Sequence, residues 1–437
     1  MFLIITEGIV GSVGVTVPNR PLYSCEDLNG IVRALHCGVF LGGGIMTNLA
    51  KRLLFPILAL RLLLTIFIGA FMVIETQAAD SQELLVFVTS FATGEQGAIH
   101  SYRLNPITGQ LIFIQGTKSV ENPFFIVVSP DEKFLYSIHA PGAFGGGDSE
   151  QVAAYQLVAR TGQLKLLNRQ SARGSAACYL DVDATGKTVA VANYSTGSVA
   201  TFPVNSDGSL SEAASFFQHT ATLGRTPKPP QDQARAHCIV FSPDNRFAFA
   251  ADLGLDQIFC YRLDAVTGKL TPNQQPFVRT PREAGPRHLT FHPNGKFVYV
   301  INELANSVTK FDYDTLSGML IEQKTISTLP DGFEGSSFCA DLKITPDGRF
   351  LYGTNRGHDS IASYRIAEDG SLSLVAIEPS LGKGPQNLVI TPQGECLICA
   401  NMPGNNVVVF HIDPQTGALK LLQQPVAVHS PSCLVIR

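Results

Sequence analysis

The chain has 437 residues, of which 45% are hydrophobic and 16% charged, and its formal net charge is −4. That near-balance supplies no basic surface for nucleic acid and none for an anionic membrane. No tryptophan is present, which argues against propeller blades of the WD type.

Residues 1–45 show no repeat and no clear periodicity, and are read as a mis-annotated leader ahead of a true start at Met46. Residues 46–79 have the layout of a signal peptide or an N-terminal anchor. Lys51 and Arg52 precede an apolar stretch at 62–74, and Thr76-Gln77-Ala78 offers a cleavage site. The expected location is therefore exported, periplasmic or secreted; it is cytoplasmic if this segment is not a working signal. No membrane contact is expected beyond that anchor.

From residue 84 onward a unit of about fifty residues recurs. One turn appears six times: SPDEKFLY (129–136), DATGKTVA (183–190), SPDNRFAF (242–249), HPNGKFVY (292–299), TPDGRFLY (345–352) and TPQGECLI (391–398). Alternating apolar segments flank each one, as in a β-hairpin. A second turn appears seven times, at 105–111, 158–164, 205–210, 264–270, 314–320, 367–372 and 413–419. The unequal counts reconcile if one blade is split. SPSCLVIR (430–437) reads as an innermost strand without its hairpin, and LLVFVTS (84–90) as a second strand lacking a first. Residues 80–437 are thus predicted to form an all-β, seven-bladed β-propeller of four-stranded blades. The N- and C-terminal strands would close the ring in one blade, so that no sheet edge is left open.

Nine cysteines include one close pair, Cys396-x-x-Cys399. Residues three apart on a strand face opposite sides, so this pair is not read as a disulfide. Most of the others are expected as small buried hydrophobes. No cluster has metal-ligand spacing, and neither a metal nor a cofactor is predicted.

Let strands A to D run from the centre of a blade outward. The tight A–B and C–D turns then share one rim. The more variable D–A and B–C connections share the other, where sites are usually built. The repeat works as a ruler on that second rim. Six residues before the A–B turn proline stand Phe124, Cys178, His237, Arg287, Ala340 and Gln386. Just past strand B, after a recurring Asn or Asp, stand Tyr194, Leu253, Glu303, Arg356 and Met402. Two equivalent positions in three adjacent blades therefore carry His237, Arg287, Glu303 and Arg356. A convergent group of this kind is read as a catalytic site. The recurring Asn193, Asp252, Asn302, Asn355 and Asn401 are read as mostly structural. His288 either lines the channel or is a satisfied core histidine. His358, in NRGHDSIASY, supports its loop, and His292 lies on the opposite rim.

The segments ADLGLDQIFCYRLD (251–264), GPRHLTFHPNGKFVYVINEL (285–304) and ADLKITPDGRFLYGTNRGHDSIASYRI (340–366) resemble the seven-bladed propeller lactonases. This family includes a bacterial type of 6-phosphogluconolactonase and the fungal carboxy-cis,cis-muconate lactonising enzyme. NYSTGSVATFPVNSDGSL (193–210) fits as well. The resemblance implies an active site on the variable-loop rim. The family's histidine falls on His237, the arginine of its PRH motif on Arg287, the glutamate of its NE motif on Glu303 and the arginine of its NRGH motif on Arg356. One departure concerns the His-x-His pair that often precedes strand A of this blade: here Arg235 replaces the first histidine, and it could still bind an anionic group. Arg235, His288 and His358 are the candidate substrate-binding residues. A second departure is the export signal, since 6-phosphogluconolactone is made in the cytoplasm.

The chemistry expected is hydrolysis of a sugar lactone, possibly phosphorylated. His237 would act as general base. Arg287 and Arg356 would hold the substrate's anionic group and the oxyanion, while Glu303 would orient an arginine or handle the leaving-group proton. Two alternatives use the same scaffold: cyclisation of a carboxymuconate-type substrate, and a non-enzymatic exported binding module with YVTN-like repeats. The expected partner is a small-molecule lactone, and the expected state is a monomer or a weak oligomer.

Overall fold

The structure, a computed structural model, describes residues 83–437 except 143, 144, 146, 148, 149 and 221–228. The proposed leader and signal segments lie outside the described residues.

Seven antiparallel sheets follow one another along the chain, and six are built from consecutive strands. The seventh is the split blade. Its innermost strand, Pro431–Ile436, pairs with Leu84–Ser90, which continues to Ala98–Leu104 and Leu111–Lys118. The register sets Phe87 opposite Val435 and Val88 opposite Leu434. The Thr89 hydroxyl reinforces this closure: it lies 2.8 Å from Ser432 Oγ and accepts the Cys433 N–H at 2.8 Å. The two turn counts therefore differ for the reason expected, and the ring closes through its own ends.

Strand B of each blade is sandwiched between neighbouring blades. Thr188–Asn193, Phe247–Asp252 and Cys396–Asn401 are buried at every residue, which is why they read as nearly unbroken apolar runs. Outermost strands such as Met319–Ser327 are largely exposed and polar. The recurring turns have a local cause. In the A–B hairpin the Ser or Thr hydroxyl accepts a backbone N–H across the turn, as Ser242 does from Phe247 (3.0 Å) and Thr345 from Phe350 (3.1 Å). The same hydroxyl donates to the turn aspartate, from Ser242 to Asp244 at 2.5 Å and from Thr345 to Asp347 at 2.6 Å.

The C–D turns pack one blade against the next. Gly318 has φ 70°, and a Cβ there would meet the Phe247 ring of the preceding blade at 2.4 Å. Tyr299 and Tyr352 donate from strand B to Gly370 O (2.7 Å) and Gly417 O (2.8 Å) of the following blade. The motif glycine is thus needed for its backbone conformation and for the absence of a side chain. The recurring amides at the other rim tie each blade to the connection that leads into it from the preceding one. Asn193 donates to Ala172 O (3.0 Å), Asn355 to Thr328 O (2.8 Å) and Asn401 to Ser380 O (3.1 Å).

The seven cysteines among the described residues are all free and buried.

Candidate active site

A repeated backbone irregularity builds the site. In strand A of four blades the register skips one residue, and the skipped residues are Cys178, His237, Arg287 and Gln386. A β-bulge breaks the alternation of the strand and re-aims the extra side chain. The ruler position of the sequence is therefore the bulge position. In the blade of Phe338–Ile344 the irregularity spans Ala340 and Asp341.

Glu303 follows strand Phe297–Asn302, and Arg356 ends strand Phe350–Arg356. The structure brings all four predicted residues to a single oxygen. Glu303 Oε2 lies 2.9 Å from Arg287 Nε, 3.0 Å from Arg356 Nη2 and 3.8 Å from His237 Nε2. The Arg287 Nε–H makes no aligned hydrogen bond, so that contact is an ion pair held by charge rather than by direction. Arg356 Nη2 also donates to Cys339 O at 3.0 Å.

Arg287 is 2% exposed and among the largest fully buried side chains. Burial and the nearby Arg356 disfavour its charge, which Glu303 and Asp341 favour. A guanidinium stays protonated under these opposing pulls. His237 is held well below the usual histidine range, by burial first and then by Arg287, with His288 and Arg356 adding to the effect. The ring Nδ1 lies 3.7 Å from Cys178 Sγ. His237 is thus neutral at pH 7, with Nε2 on the Glu303 side.

Of the other predicted residues, Arg235 stacks over the Tyr194 ring (5.3 Å to the centroid) and pairs with Asp232 at 3.0 Å. His288 is buried behind Arg287, and both of its ring nitrogens are engaged. The His358 Nδ1 lies 2.7 Å from Ser360 Oγ, and its ring stands edge-on to Phe333. The structure thus places His358 within its own loop.

Tyr194 was not singled out by charge, yet its ring packs edge-on against His237 at 5.3 Å. It occupies the same repeat position as Glu303, and that was the available signal. A cavity of about 760 Å³ opens beside the cluster, lined by Glu303, Arg356, Phe338, Lys383, Gln386 and Met402 among others. Gln386 and Met402 are the occupants of the two ruler positions in the next blade. Among the described residues no group of three or more His, Cys, Asp or Glu side chains is placed to hold a metal ion.

A seven-bladed propeller with a part-buried His/Glu/Arg/Arg cluster, open to a cavity on its variable rim, defines the class. The profile described as "Lactonase, 7-bladed beta-propeller" matches residues 85–436, and the chain belongs to that family. It is 34% identical over 349 residues to a 6-phosphogluconolactonase of Bacillus subtilis, covering 80% of this chain and 97% of that relative. It is 35% identical over 358 residues to a 6-phosphogluconolactonase of Formosa agariphila, covering 80% and 98%. Among solved structures it is similar to a periplasmic gluconolactonase of Pseudomonas aeruginosa, with TM-score 0.75 and 30% identity over 81% of this chain and 99% of that one.

Proposed function

We propose that the protein hydrolyses a sugar lactone at the Glu303 cluster, with His237 as general base. The observation that carries this reading is the convergence of two guanidiniums and a neutral imidazole on one carboxylate oxygen. Lactone opening needs a deprotonated water, a stabilised oxyanion and a protonated leaving alkoxide. His237 Nε2 accepts the proton of water and delivers it to the leaving ring oxygen as the tetrahedral intermediate collapses. Its depressed basicity makes it a weaker base than a free imidazole, but keeps it fully unprotonated at neutral pH. Arg356, part-exposed to the cavity, faces the substrate. With Arg287 it stabilises the negative charge that develops on the carbonyl oxygen. Glu303 keeps the two like-charged guanidiniums together and so sets their geometry.

The substrate class is a sugar lactone, phosphorylated or not. The signal-like segment at 46–79 favours an unphosphorylated lactone met outside the cytoplasm, in line with the likeness to the periplasmic gluconolactonase of Pseudomonas aeruginosa. The test is a panel of sugar lactones, with and without phosphate, given to the purified protein from Asp80 onward. Acceleration over spontaneous hydrolysis supports the reading, and its absence on every lactone removes it.

A further inference from the structure

Behind Arg287 stands a chain of polar contacts with no place in the hydrolysis described above. Arg287 Nη1 lies 3.0 Å from His288 Nε2 and donates to Ala340 O at 2.5 Å. On its other side His288 Nδ1 lies 2.9 Å from Asp341 Oδ1. Asp341 in turn accepts from Asn387 Nδ2 and from the Leu388 N–H on Oδ2, and from Lys343. Asn387 Oδ1 accepts the Leu434 N–H of the ring-closing strand at 2.8 Å. His288, Asp341 and Asn387 each stand one residue past a ruler position, in three adjacent blades.

The donor and acceptor roles are determined by chemistry. A guanidinium can only donate, so His288 Nε2 must be the acceptor. An ionised carboxylate can only accept, so His288 Nδ1 must carry the proton. Burial pushes the Asp341 carboxyl upward, but Lys343 and His288 outweigh it, and the group is held below the usual range. His288 is driven down to about 3, by burial and then by Arg287, which leaves it neutral. Its ring is walled by Tyr179 and His237, with centroids 4.8 and 5.4 Å away. Both nitrogens are therefore occupied within the protein.

We infer that Asp341 and His288 are positioning residues, which fix the tautomer of one imidazole so that it holds Nη1 of Arg287 and leaves the Nε edge to Glu303 and the substrate. The two Nη1 protons go to Ala340 O and His288 Nε2, so the guanidinium cannot rotate without losing both. Arg287 Nη2 has no hydrogen-bond partner among the described residues, and is the nitrogen this clamp leaves for a ligand. Asp341→Asn would present an NH₂ to His288 Nδ1 and favour the opposite tautomer, setting Nε2–H against Arg287. The same logic makes a buried aspartate essential to the imidazole in a Ser-His-Asp triad.

This inference rests on the lactonase reading for its kinetic part only. The tautomer is read directly by nitrogen-15 NMR of histidine-labelled protein at pH 7, without any substrate. His288 is expected as the neutral Nδ1–H form, and Asp341→Asn is expected to invert it. A charged His288, or the Nε2–H form in the unsubstituted protein, overturns the inference even if the variants fail to fold. On a lactone that the protein turns over, His288→Leu and Asp341→Asn are expected to lose about 10- to 100-fold in kcat/KM, mostly in kcat. His288→Gln, which can accept from Arg287 and donate to Asp341, should recover most of that activity. If Gln is no better than Leu, or if the losses only follow the melting temperature, the role is structural and the inference fails. If the unsubstituted protein opens no lactone, the proposed function fails, while the tautomer measurement still decides the clamp.

Discussion

Glu303 Oε2 and Arg287 Nε stand 2.9 Å apart, with the guanidinium almost wholly buried and the carboxylate at the cavity wall. The pair joins the interior of the propeller to the cavity on its variable rim. Glu303→Gln keeps the shape but strands one buried and one half-buried cation. Removing one partner of a buried ion pair costs about 3–5 kcal/mol, and the partial exposure of Glu303 puts the expected loss at the low end, about 3 kcal/mol. Denaturant unfolding checks this. Lactone opening should fall together with the stability, because the two guanidiniums then repel each other.

His237→Ala should lower kcat by about 100-fold or more, the usual worth of a positioned base, without a comparable loss of stability. Because the ring is neutral well below its ordinary pKa, kcat/KM should show no histidine-like fall between pH 8 and 6.5. A steady-state pH profile checks both. A fall centred near 6.5 would place the titrating base elsewhere.

Stability should decline on acidification below pH 6.5. His237 and His288 are depressed in the fold, His288 to about 3. The unfolded chain therefore takes up protons first, and their contribution, complete above 6.5, is lost as pH falls. Asp181 opposes this, because burial pushes it up to about 7 and its neutral form favours the fold at low pH. His139, lowered to about 4, and His100, also lowered by burial, add to the loss. Four depressed histidines against one aspartate leave a net decline in stability as pH falls. Urea midpoints between pH 7 and 5 measure it.

Deleting residues 431–437 should unfold or aggregate the protein. The deletion removes the inner strand paired with Leu84–Ser90 and uncovers a fully apolar edge, Val86 to Val88. Size-exclusion chromatography and thermal melting check this. A monomeric, cooperatively melting product would show that the closing strand is dispensable.

Much of this was legible in the chain because the turns are local chemistry. A hydroxyl, an aspartate and a glycine at fixed offsets specify the hairpin whatever surrounds it, so counting hairpins counted blades and revealed the split one. The four cluster residues were legible because the scaffold repeats them at equivalent positions. The bulge that turns His237 and Arg287 into the site was not legible, since register exists only between paired strands. Tyr194 sat at a ruler position but carries no charge. Asp341 is charged but stands one step past the ruler position, where a residue on a regular strand would face the other way. Shifting the ruler by one residue collects His288, Asp341 and Asn387 together.

The most direct test is the rate of sugar-lactone opening, followed by acid release at constant pH, for the protein from Asp80 onward and for its His237→Ala and Glu303→Gln variants. Turnover well above spontaneous hydrolysis, lost by about 100-fold or more in both variants while His237→Ala stays folded, is the result expected. Turnover that survives in both variants, or none by the unsubstituted protein on any lactone, would contradict a hydrolytic site at Glu303.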